Sequence, residues 1–146
     1  MATAAAPHVL EEPSPDDRTL AMLANLLMAF TGFVGPLIIF VVKQNSRFVK
    51  FHSLQALLWH AIYMGLVFLL MAVFFAATFW SLIHNPPQAH SQAPPPAFFV
   101  FFPLIWLSFM GGWAVNLILG VVYAIKANRG EWACYPIYGK WLLPKQ

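Results

Sequence analysis

The sequence is short of charge. Only 9% of its 146 residues are Asp, Glu, Lys or Arg, whereas an ordinary soluble domain carries about 25%. That shortage excludes a water-soluble globule, a charge-rich disordered chain and a basic nucleic-acid-binding module. Cysteine is nearly absent too: Cys134 stands alone, so no disulfide can form within the chain. A secretory signal is missing. No basic stretch precedes the first apolar run, which instead follows Glu11, Glu12, Asp16 and Asp17, so it is expected to persist in the mature protein.

What fills the space is hydrocarbon: 60% of the residues are hydrophobic and 16% aromatic. The charges fall into three clusters, Glu11–Arg18, Lys43–Lys50 and Lys126–Lys145, and the 75 residues from Phe51 to Ile125 contain none. About 18 apolar residues in a row already make a candidate membrane helix. These facts predict an all-α integral membrane protein, a small bundle of three long or kinked segments. The first segment is interrupted at Gly32–Pro36, which makes four helices if the break divides it. A mobile acidic tail (1–16) precedes one membrane domain (17–146). Its segments are 20–42, 47–83 and 97–126, with a Pro-rich connector over 84–96 and an interfacial aromatic tail over 127–146.

Local chemistry sets these bounds. Asp16 or Asp17 is expected to cap the first helix, and Asn45 or Ser46 the one after the basic junction 43–52. Pro36 removes a backbone donor and restrains Gly35, so a short second helix is expected from Leu37 to Val42. Leu20–Phe30 spans only about 16 Å as a helix, half a hydrocarbon core. The first segment is therefore either one kinked span or a re-entrant hairpin. Seven of the eight Lys and Arg lie in the junction and the C-terminal tail. The positive-inside rule then places both in the cytoplasm of a bacterium whose inner membrane holds the chain.

The polar residues inside the apolar stretch are few. His52, Gln55, Trp59 and Tyr63 share one helical face, with His60 beside it. His52 and Gln55 are read either as groups at headgroup level, bonded to lipid or to neighbouring loops, or as the lining of a polar vestibule. Asn25 and Asn116 are expected to bond across helices. Gly112, Asn116 and Gly120 form a small-residue strip suited to close helix approach, either against Ala61, Gly65, Ala72 and Ala76 or against a partner. A catalytic His60–Ser108 pair is conceivable but unsupported by any motif. His52 and His60 are too far apart on one helix to share a metal, and His84 and His90 lack Cys or Asp helpers. No catalytic residue, cofactor or metal is expected.

Four stretches carry a resemblance: Ala21-Met-Leu-Ala-Asn-Leu26; Gly35-Pro-Leu-Ile-Ile39; Ser46-Arg-Phe-Val-Lys-Phe-His52 running on to Gln55-Ala-Leu57; and Ala124-Ile-Lys-Ala-Asn-Arg-Gly-Glu131 with Tyr135-Pro136. In order and spacing they resemble a small bacterial and archaeal membrane family of unknown function, similar to the channel-type subunit of the chloroplast inner-envelope (Tic) import machinery. Many of those relatives have a His where this chain has Asn25. The resemblance implies a helical bundle, no catalytic activity and a link to protein translocation. The expected function is thus a non-enzymatic structural or assembly subunit. Its partners would be the lipid bilayer and other membrane proteins or copies of itself, with no nucleic acid. A small transporter or channel subunit is the alternative.

Overall fold

The structure is a computed structural model that describes residues 12–84, 94 and 96–142. Among the described residues there are four α-helices: α1 (Pro15–Thr31), α2 (Val34–Val42), α3 (Arg47–His84) and α4 (Pro96–Asn128). An irregular stretch and a short 3-10 turn at Gly139–Leu142 follow. No strand occurs among the described residues. The all-helical expectation holds. Most of the N-terminal tail and most of the Pro-rich connector lie outside the described residues.

Helix α1 starts earlier than its acids suggest. Ser14 is the cap, its Oγ accepting from the Asp17 N–H at 3.2 Å, and Pro15 occupies the first helical turn. A proline there loses only a donor that would be unpaired anyway. Asp16 and Asp17 sit in the first turn instead, where negative charge complements the helix dipole. Ser46 caps α3 as expected, accepting from the Val49 N–H at 3.3 Å.

The break in the first segment is a reversal. Gly32 has φ +62°, a left-handed conformation that suits a residue without Cβ. Thr31 closes the corner: its hydroxyl donates to the Leu27 carbonyl at 2.8 Å and accepts from the Gly35 N–H at 3.0 Å. Helix α2 begins at Val34, not Leu37, because Pro36 lies in its first turn and Gly35 has no Cβ to meet the proline ring. A Cβ on Gly35 would run into Leu27. Higher up α2, Ile39 packs with Ala24 and Val49 and against Leu20 and Leu27. Just past its end, Lys43 pairs with Asp17 at 3.4 Å. Helices α1 and α2 therefore run antiparallel, joined as a hairpin.

This hairpin packs on the lower halves of α3 and α4, which are themselves antiparallel. Ala21, Ala24, Ala56 and Ala127 are fully buried, which lets the helices approach closely. Ala21 joins Phe48 and Ala127, with Trp132 packed beside them. These contacts gather the described parts of all three charge clusters at one end of the bundle. Toward the other end the protein thins to two helices. Val67 is the last buried hydrophobic residue on α3, and no described residue of α4 before Asn116 is buried. Contacts such as Phe74 to Phe101, ring centroids 5.9 Å apart, join the two helices there. The outward faces carry Phe79, Trp80, Phe99 and Leu107, each more than 60% exposed. Both α3, over 38 residues, and α4, over Phe98–Asn128, are long and apolar enough to cross a membrane.

Candidate functional site

The polar side chains meet at the charged end. Asn25 of α1 is completely buried, and its amide is fully used. Nδ2 donates to the Ala21 carbonyl at 2.8 Å and lies 3.3 Å from His52 Nδ1, while Oδ1 accepts from the Tyr135 hydroxyl at 3.0 Å. His52 Nε2 lies 3.1 Å from the Glu131 carbonyl oxygen. A carbonyl can only accept, so Nε2 carries the proton and Nδ1 receives the Asn25 N–H. Both ring nitrogens are occupied, and neutral His52 has no lone pair free for a metal or a substrate proton.

One helical turn along α3, Gln55 repeats the pattern. Its Nε2 donates to the Ala133 carbonyl at 3.2 Å, and its Oε1 accepts from the Tyr135 N–H at 2.6 Å. The Tyr138 hydroxyl donates to the Gln55 carbonyl at 2.7 Å. The stretch 131–138 is thereby tied under the bundle. Tyr135 inserts between the helices, stacked on Tyr123 with ring centroids 4.1 Å apart, and the Tyr123 hydroxyl donates to the Cys134 carbonyl at 2.7 Å. Burial pushes the Tyr135 phenol well above its ordinary range, with the neighbouring Tyr138 and Tyr123 phenols adding to the shift. Burial, then the Tyr123 phenol, does the same to Tyr138. Both stay protonated donors.

Nearer mid-length Asn116 bonds across to α3. Trp59 Nε1 donates to Asn116 Oδ1 at 2.8 Å, and Asn116 Nδ2 returns to the Gly112 carbonyl at 2.9 Å. Gly112 faces the Tyr63 ring on α3, but Gly120 faces α1: a Cβ there would lie 2.9 Å from the Asn25 carbonyl oxygen. The small-residue strip thus serves two neighbours, and Gly65 has open space beside it. His60 is half-buried against Gly32, with no partner for Nδ1. Ser108 donates to the Leu104 carbonyl on its own helix.

Reading His52 and Gln55 as a vestibule lining is corrected: both are 0% exposed and bonded to the C-terminal stretch. Tyr135 and Tyr138 were missed as core residues. Their setting among Arg129, Lys140, Trp132 and Trp141 reads as interfacial, and only the Tyr135-Pro136 pair signalled more. No group of three His, Cys, Asp or Glu side chains that could hold a metal ion forms among the described residues.

Residues 16–142 match the family model of the magnetosome magnetite crystal formation proteins. No curated protein and no solved structure matches the chain. The match overturns the likeness to the plastid import subunit. All four stretches that suggested it fall inside the matched span, and the translocation role it implied goes with it.

Proposed function

Because the chain belongs to the magnetosome magnetite crystal formation family, we propose that it is a non-enzymatic structural element of the membrane that surrounds a growing magnetite crystal. The match over nearly the whole folded region carries this reading. The fold supports it in two ways. Helices α3 and α4 present long apolar faces that a bilayer would cover, which supports two crossings of the membrane. The buried polar groups of Asn25, His52, Gln55 and Tyr135 are spent on one another and on the chain's own backbone, an arrangement that holds a shape. The basic end, with Lys43, Arg47, Lys50, Lys126 and Arg129, faces the cytoplasm by the positive-inside rule. Other membrane proteins of the same compartment are the expected partners.

The test is genetic and biochemical. In a magnetite-forming bacterium that carries this gene, the protein should fractionate with magnetosome membranes, and its deletion should change crystal size or number. Complementation with wild type should restore both. His60→Ala and Ser108→Ala should restore them equally, since neither side chain is asked to do chemistry. Normal crystals in the deletion strain would refute the assignment, and failure of the Ser108→Ala protein, if stably present, would reopen the enzyme reading.

A further inference from the structure

We propose that the α1–α2 hairpin is a re-entrant element, entering the bilayer and leaving it by the same face, with lipid acyl chains as its partner. The proposal rests on the membrane-spanning part of the function proposed above. The base of the hairpin is polar and closed by the Asp17–Lys43 pair. Arg47 and Lys50, in the first turns of α3, and Arg129, just past the end of α4, lie at the same end of the bundle and are cations suited to anionic headgroups. Trp141, 86% exposed, and Ile137 lie at the same end, as expected of groups at a membrane surface. Above the base the outward residues are apolar apart from Thr31, whose hydroxyl is bonded within the corner: Phe30, Phe33, Ile38 and Val42 are all more than half exposed.

The tip then fixes the depth. Gly32 lies against His60, which is thirteen residues beyond Arg47, or about 20 Å along α3. A hydrocarbon core is about 30 Å thick, so the tip enters it and does not leave by the far side. The corner is also built for oil. The Thr31 hydroxyl serves both the Leu27 carbonyl and the Gly35 N–H, and the Leu37 N–H reaches the Phe33 carbonyl at 3.0 Å. Irregular backbone at membrane depth is tolerated when its polar groups are satisfied and protein covers it, and here α3 covers one side.

A spanning segment would put the start of α1 and the basic junction on opposite faces; a re-entrant one puts them on the same face. The full chain with Cys134→Ser would carry single cysteines at exposed positions, Asp16→Cys, Gln44→Cys or Phe33→Cys, in sealed vesicles of one orientation. A membrane-impermeant maleimide should label Asp16→Cys and Gln44→Cys from the same side and Phe33→Cys from neither. A fluorophore at Phe33→Cys should be quenched by lipids brominated on the acyl chain. Opposite-side labelling of positions 16 and 44 in carbonate-resistant protein would overturn this proposal alone, as would aqueous labelling at position 33. Release of the protein by alkaline carbonate would overturn the membrane reading and this proposal with it.

Discussion

Removing one oxygen from Tyr135 tests whether the polar knot holds the C-terminal stretch in place. The Tyr135 hydroxyl donates to Asn25 Oδ1 at 3.0 Å, and both residues are essentially inaccessible to water. Tyr135→Phe preserves the ring, and so its stacking on Tyr123, but leaves Oδ1 without its donor. A buried polar atom stranded in this way costs about 1–3 kcal/mol. If the bond lies at membrane depth the figure falls to about 0.6 kcal/mol, because a membrane-embedded reference state finds other partners. The position of the knot at the charged end favours the larger range.

The chain supplies its own reporter. Cys134 is the only thiol, and it adjoins Tyr135. Burial pushes its thiol up, partly offset by the Lys140 cation, which disfavours the reactive thiolate while the stretch is docked. If alkylation proceeds through transient undocking, a loss of 1–3 kcal/mol raises its rate roughly 5- to 150-fold. The measurement is iodoacetamide labelling of detergent-solubilised protein against time, with Tyr138→Phe as a second strap variant. Pairing Tyr135→Phe with Asn25→Ala closes a double-mutant cycle, where a coupling of about 0.5–3 kcal/mol is expected of directly bonded partners. A labelling rate within twofold of wild type, with no coupling in the cycle, would refute the idea that this bond secures the stretch.

Three further outcomes follow from the same geometry. The folded-state pKa values of Tyr135 and Tyr138 are raised above the ordinary 10.0, so their stabilising effect is complete below that pH and is lost as pH climbs toward the folded values; thermal midpoints should fall between pH 10 and 11.5, and Tyr135→Phe with Tyr138→Phe should flatten the decline. Gly32→Ala adds a Cβ at φ +62°, ψ −129° and 2.9 Å from His60 Nε2, which costs about 1–3 kcal/mol from the backbone alone; circular-dichroism melts should show His60→Ala relieving the steric part and leaving the backbone part. Gly120→Leu should separate α1 from α4 and sharply lower stability in the same melts, whereas Gly65→Leu, beside open space, should be near neutral.

The broad architecture was legible because it follows from solvation. A stretch of 75 residues without an ion has few homes other than oil, and the ends of α3 and α4 fall within two residues of where capping and proline chemistry put them. The direction of the first segment was not legible. Gly32-Phe-Val-Gly-Pro36 announces a break, but a kink and a reversal use the same residues. What decides between them is tertiary: the clearance Gly35 gives Leu27, and the Lys43–Asp17 pair across 26 positions.

The knot shows a second limit, and its cause is general. Asn25, His52 and Gln55 could be singled out because polar groups in an apolar helix need partners. Their partners could not, because three of them are backbone carbonyls or amides of residues 131–135, and every residue in the chain carries those groups. Side-chain identity signals a demand for hydrogen bonds but not the place of supply. The same logic explains why the C-terminal aromatics divide as they do. Tyr135 and Tyr138 each carry a hydroxyl that finds a buried acceptor, and they are drawn inward; Trp141 has no described partner of that kind and stays 86% exposed. Tyr135 and Tyr138, whose hydroxyls are answered inside the bundle, close its base; Trp132 packs by its ring alone on Phe48 and Phe51, and Trp141 stays outside.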